Sequence, residues 1–435
     1  MPSATPGVLG PLRLPGFRAL VGTYVVNELG NWLGEIALAI LVFDQTGSPV
    51  ATAALFLAMQ FLPAFLAPLL VSRLEALPAN RSLPLLYGLE AVAFTVLALL
   101  AQEFIFAAVI VLAAIDGALA ASARALTRAS VGAILTSPGM LREGNAVLNF
   151  GFTACAAFGP LFGGLVVAGA SVEAALWADA ISFGIAAIAI GGATGIPRIE
   201  LEAARMMQRL RDGYRYVRER PALVRLLTAE SAAFVFFYAA IPIEIVFAKE
   251  TLGAGDAGYG LLLSSWGIGM VAGGVVFALL RRLTLRVLLG ASTLAIGLAY
   301  LGMAVAPSLA VACGAAAVGG IGNGMQWVAM VSAVQELTGL RYQARVMAMM
   351  ESISSATPGI GFVLGGAVAA ILSPRASFAV AGFGVLLVLA AAAVALTRVG
   401  WRGDKPPEGL EDLPPPPVEA IDPDGVPTVT RLTRD

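Results

Sequence analysis

Long apolar runs and short polar interruptions alternate along the whole chain. A helix needs roughly 20 apolar residues to cross a bilayer core about 30 Å thick. Runs of that order predict spans over residues 17–43, 50–72, 84–101, 104–124, 145–169 and 174–195. A second set covers 224–248, 257–280, 287–305, 308–334, 346–372 and 376–397. The pattern reads as an all-α membrane protein with about 12 transmembrane helices in two six-helix bundles. The predicted organisation is a tail over 1–16, one bundle over 17–196, a central loop over 197–222, a second bundle over 223–397 and a tail over 398–435. The last segment is Pro-rich and charged, a composition that favours disorder.

Composition agrees. The 435 residues are 58% hydrophobic and 13% charged, against about 25% charged in soluble domains. So much apolar surface requires lipid as its solvent. The net charge of −1 lacks the basic bias of a nucleic-acid binder. Histidine is absent, and Cys155 and Cys313 sit apart in apolar runs, so no metal or disulfide framework is expected. Neither Lys249 nor Lys405 follows the glycine spacing of a phosphate-binding loop, which argues against ATP as an energy source. No cofactor is expected, and a transporter is favoured over an enzyme.

Positive charge predicts the orientation, because cytoplasmic loops collect Lys and Arg. Arg13 and Arg18 lie at the start of span one, Arg73 and Arg81 between two and three, and Arg124, Arg128 and Arg142 between four and five. The alternate loops hold only Lys249 and Arg375 of the 27 cationic residues. Both termini are therefore expected in the cytoplasm, of a protein in the cell inner membrane. The central stretch between Arg198 and Arg225 places six further arginines beside Met206, Met207, Leu210, Tyr214 and Val217. It reads either as an amphipathic surface helix or as a solvated linker.

The two halves resemble a repeat. An offset of 202 pairs Gly163-Gly164 with Gly365-Gly366, Gly159 with Gly361 and Glu28 with Glu230. Internal duplication is common among secondary transporters.

Candidate chemistry lies in the polar residues of the spans, since intramembrane carboxylates are rare and usually face a polar cavity. At 100° per residue, Tyr24, Asn27, Glu28, Asn31 and Glu35 share one stripe of span one. With no histidine, a carried proton needs Asp or Glu. In span seven, Glu230, Phe234, Phe237 and Tyr238 share a face, where an acid beside aromatics suits a cationic or amphipathic ligand. Glu90 and Asp116 are further cavity candidates, while Asp179 and Glu351 are weaker. Gln60, Asn149, Asn323, Gln326 and Trp327 offer neutral contacts. The alternative for all of these is a structural polar stripe bonded to a neighbouring span. The glycines of spans five, eight and ten read as helix-contact surfaces.

Several segments resemble the major facilitator superfamily, in particular its bacterial drug-efflux branch with macrolide-efflux and enterobactin-exporter-like members. The clearest stretch holds Leu141, Asn145-Ala146, Gly159-Pro160, Gly163-Gly164 and Asp179-Ala180, then Ser182-Phe183. Thr46-Gly47-Ser48, Arg211-Asp212-Gly213-Tyr214-Arg215-Tyr216-Val217, Gln335-Glu336-Leu337 and Arg345-Val346-Met347-Ala348 carry it further. The resemblance implies alternating access and proton-coupled efflux of a small hydrophobic or amphipathic compound, so the expected partners are a small-molecule substrate, protons and the bilayer. It also implies gating roles for Glu75 and Arg81 between spans two and three, and hinge roles for Gly159, Pro160, Gly163 and Gly164. The chain departs from the pattern in that loop, where the usual glycine is missing, and at Cys155, where a glycine is usual. A siderophore or lipid exporter, or a non-transporting receptor or scaffold on a degenerate transporter fold, remain the alternatives.

Overall fold

The computed structural model describes residues 9–74, 79–136, 139–196, 203–280, 282–339 and 342–397, and every regular element among them is helical. The first half contains α1 (Pro15–Thr46), α2 (Pro49–Phe56), α3 (Leu62–Leu74), α4 (Ala79–Leu100), α5 (Phe106–Leu135), α6 (Leu141–Gly169) and α7 (Val172–Gly191). α8 (Ala203–Arg218) connects the halves. The second half contains α9 (Pro221–Ala240), the short α10 (Glu244–Val246), α11 (Gly255–Leu279), α12 (Leu285–Val305), α13 (Leu309–Glu336), α14 (Gln343–Ala356), α15 (Pro358–Ile371) and α16 (Pro374–Thr397).

Local sequence explains many of the boundaries. Proline occupies the first helical positions of α1, α2, α9 and α15, where its missing N–H costs nothing. Ser48 and Ser171 cap α2 and α7 by accepting the N–H groups of Ala51 and Ala174 at 3.3 and 3.1 Å. α1 stops at Gly47, whose φ of 57° suits a residue without a Cβ. Wide π turns over Leu57–Phe61 and Phe247–Thr251 join α2 to α3 and follow α10.

Eleven segments among the described residues are long and apolar enough to cross a membrane. The predicted span over 308–334 corresponds to α13, which has 28 residues but is diluted by glycines, Asn323 and Gln326. The predicted span over 346–372 holds as a crossing over Ile353–Ile371, with its helix broken into α14 and α15 at Thr357, because Pro358 has no N–H to continue the ladder. One expectation is corrected. The predicted span over 104–124 runs on to Leu135 as α5, so Arg124 and Arg128 lie on a helix rather than in a loop.

Apolar packing differs between the two ends of the molecule. At the end where α1 finishes, one buried cluster takes residues from both halves, including Ile40, Phe43, Phe56, Val246, Phe247 and Phe362. At the opposite end each half has its own core. Phe17, Leu20, Tyr24 and Leu126 belong to one, and Leu223, Leu226, Val334 and Val346 to the other. The halves are thus joined at one end and part at the other, the α8 end.

The glycine pairs divide the labour of helix contact. A Cβ at Gly163 would lie 3.0 Å from the Cβ of Ile36 in α1, and one at Gly365 would lie 2.7 Å from the carbonyl carbon of Ala239. These first glycines pack within their own half. A Cβ at Gly164 would lie 2.7 Å from the carbonyl oxygen of Asp256 in α11, and one at Gly366 would lie 2.6 Å from Ala53 in α2. These second glycines face the other half. Gly159 packs on Trp32 in the same manner.

α8 is docked on the second half. Tyr216 stacks on Tyr342 at 4.3 Å, and its hydroxyl accepts the N–H of Gly339 at 2.9 Å. Asp212 lies 3.6 Å from Arg345. A Cβ at Gly213 would approach the carbonyl oxygen of Arg345 to 2.8 Å. Tyr216 and Val217 are buried while Tyr214 is exposed, so this part of the apolar face meets protein rather than lipid.

Candidate functional site

A cavity of about 420 Å³ lies between the halves, on the α8 side of their shared core. α1 contributes Glu28, Asn31, Trp32 and Glu35, and the π turn with α3 contributes Met59, Gln60 and Pro63. α5 contributes Asp116, Ala120, Arg124 and Arg128, spaced four apart along one face. Phe152 enters from α6, Tyr238 from α9, and Ser354, Ser355 and Pro358 from the junction of α14 and α15. The wall therefore carries three carboxylates, two guanidiniums and three aromatic rings.

Glu28 is 2% exposed, and its carboxylate lies 3.6 Å from Arg124. Arg128 is exposed into the same space one turn further along. Gln60 hydrogen-bonds Glu35. Asp116 is 3% exposed, with Oδ1 unpaired. Its helix comes close enough at Gly117 for a Cβ to meet the Met59 backbone, and the π turn puts that backbone there.

The predicted stripe on α1 therefore serves two surroundings. Asn31, Glu28 and Glu35 line the cavity. Tyr24 is buried in the core at the α8 end. Asn27 turns to α4, where it donates to Glu90 at 3.0 Å while accepting from Asn31 at 3.1 Å. Glu90 is fully buried behind it and does not reach the cavity. Asp179 is likewise buried, bonded by the Ser182 hydroxyl at 3.3 Å and pressed against Gly30 and Gly34.

On α9, Tyr238 reaches the cavity but Glu230 and Phe234 do not. Glu230 accepts a hydrogen bond from Gln326 Nε2 at 3.1 Å and faces a smaller space inside the second half. Phe234, Phe237 and Tyr238 form edge-on ring contacts at 5.2–6.4 Å. Arg81 is exposed. Glu75 and the side chain of Glu351 lie outside the described residues.

Arg124 and Arg128 are the site residues missed from sequence. Counting them as loop markers hid the signal, which is their four-residue spacing in register with Asp116. The duplication makes the point again. Residue 326 stands 202 after Arg124, so Glu28–Arg124 and Glu230–Gln326 are the same contact in the two halves.

Residues 6–430 match the family model described as transmembrane secretion effector. The chain belongs to that family, within the major facilitator superfamily. Solved transporters share its fold. The peptide transporter POT in complex with alafosfalin aligns at a TM-score of 0.70 and 13% identity, over 92% of this chain and 97% of its own. The nucleoside transporter NupG aligns at 0.66 and 13%, over 88% and 99%. The human organic anion transporter MFSD10 (TETRAN) aligns at 0.59 and 18%, over 87% and 100%. A search among curated proteins found no match. The protein is a multi-pass membrane transporter of the major facilitator type.

Proposed function

We propose that this transporter exports a small hydrophobic or amphipathic compound in exchange for protons, by alternating access of the central cavity. The observation that carries the reading is the Glu28–Arg124 pair, set in the wall of a cavity between halves that are joined at one end only. The sequence charge rule puts the α8 end in the cytoplasm, so the cavity faces inward, where an exporter collects its cargo.

The wall fits such a cargo. Trp32, Phe152 and Tyr238 offer ring surfaces, and the charged residues stand on α1 and α5. Proton coupling follows from the pair. A proton on Glu28 cancels its attraction for Arg124, while its loss restores the pair. A protein that opens to each side in turn can load that proton outside and release it inside. Arg124, freed or held, also changes the charge that the cargo meets.

Purified protein in liposomes tests this reading. An imposed pH gradient should drive accumulation of a lipophilic fluorescent substrate, with matching proton movement in the opposite direction. Binding without transport would favour a receptor on a transporter fold. Transport indifferent to the pH gradient would remove the proton from the mechanism.

A further inference from the structure

A second space, of about 190 Å³, lies wholly within the second half, among α9, α12, α13 and α16. Its walls are mainly Leu, Val, Ala and Met side chains, with Glu230 set among them. Comparison of the halves shows why the space exists. Gly88 and Gly290 are 202 apart, and Leu86 with Leu288, and Phe94 with Ile296, are buried at matching places. In the first half the corresponding volume is filled by the buried side chains of Tyr24, Asn27, Tyr87 and Glu90. At the same offset the second half has Leu226, Ala229, Leu289 and Ser292. Two phenol rings and the Asn–Glu pair are missing, and the gap is what remains.

The gap is larger than the cavity of about 150 Å³ that admits benzene in a protein core. It differs from such a cavity in having a carboxylate in its wall. Glu230 is 8% exposed, and Gln326, a neutral donor, stands where the first half has Arg124. Among the described residues Glu230 has no ion pair. A buried carboxylate calls for a compensating positive group. The exposed residues Arg286, in the first turn of α12, and Ala393, in the last turns of α16, mark the way in from the α8 end.

We propose that this pocket is a second binding site, separate from the central cavity, for a compact lipophilic amine. The ammonium group sits against Glu230, and the hydrocarbon body lies along Leu226, Leu289, Met330 and Leu389. The site does not depend on the proton-coupled export proposed above, because no residue of the pocket lines the central cavity.

Saturation-transfer NMR on the purified full chain in detergent tests it, with benzylamine as probe and benzyl alcohol as its neutral twin. Benzylamine is expected to bind the wild type more tightly than the alcohol. Glu230→Gln should weaken benzylamine by about tenfold, the scale of one lost charge-assisted hydrogen bond, and leave the alcohol nearly unchanged. Leu289→Tyr restores the first half's filling residue and should abolish both signals. Ala392→Ile, the residue at the matching place in α7, is a milder filler should Leu289→Tyr fail to fold. Trp32→Ala, in the central cavity, should change neither signal. Undiminished benzylamine binding in a folded filling variant would overturn the proposal. So would equal binding of amine and alcohol, insensitivity to Glu230→Gln, or loss of the signal in Trp32→Ala.

Discussion

Lys249 reaches across the two halves to Asp44. It leaves the π turn after α10, bonds the carboxylate at the end of α1, and also holds Asp256 of α11 at 2.7 Å. The bridge sits at the joined end, beyond the cavity. Any state that opens this end must part Lys249 from Asp44.

Lys249→Met should therefore favour the opposite opening. Partly exposed ion pairs contribute up to about 1 kcal/mol, so the shift is on the order of fivefold. Cysteine at Ala53, buried against Gly366 in the present state, reports it in a background lacking Cys155 and Cys313. Its alkylation by a membrane-impermeant reagent from outside should rise by about that factor. An unchanged rate would mean that the bridge does not hold the end closed.

The coupling role of Glu28 predicts a split phenotype. Glu28→Gln keeps shape and hydrogen bonding but cannot carry a proton between sides. Counterflow down a substrate gradient should persist, while uphill efflux in proteoliposomes fails. One proton per cycle is worth about 2.3 kcal/mol per 100 mV, and that drive disappears. Glu35→Gln should do less, because Gln60 already bonds that carboxyl. Wild-type pumping by Glu28→Gln would move the search to Asp116, the other acid in the cavity wall.

Gly163 and Gly164 separate folding from motion. Gly163→Leu drives a side chain into Ile36 of the same half, and overpacking of this kind costs about 1–3 kcal/mol. The purified variant should melt at lower temperature. Gly164→Leu meets Asp256 and Gly260 of the other half, so it should prevent closure of the joined end. Transport should stop with little loss of melting temperature. Equal effects of the two on stability would contradict the division of contacts.

Orientation is open to a direct check. Reporter fusions at Asp212 and Asp435 should both register the cytoplasm, as the arginine distribution requires. A periplasmic signal at either would turn the cavity to face outward.

Much of the fold was legible because apolar length and the glycine pairs are written locally in the chain. The site was legible in part. Periodicity placed Tyr24, Asn27, Asn31 and Glu35 on one stripe, but the neighbours decide what each residue on a stripe meets. Asn27 meets Glu90 on α4, Tyr24 meets a core, and of the stripe only Glu28, Asn31 and Glu35 reach open space. Glu230 matched Glu28 by offset, yet the residues lost around it gave it a pocket of its own. Arg124 obeyed the charge rule and lined the cavity as well, and a rule that sorts arginines by loop cannot show the second role.

The outward-facing glycines Gly164 and Gly366 carry a mechanical consequence. Each meets the other half largely through backbone and small side chains, Gly164 against Asp256 and Gly260, and Gly366 against Pro49, Val50 and Ala53. At these points no side chain interlocks, so the backbones can separate and meet again giving up only many small dispersion contacts, while rings such as Phe56 and Phe362 pack beside them. The duplication supplies two such surfaces, one on each diagonal of the molecule. They act as a pair of smooth bearings on which the halves can rock, and a larger side chain at either would be grit in the joint.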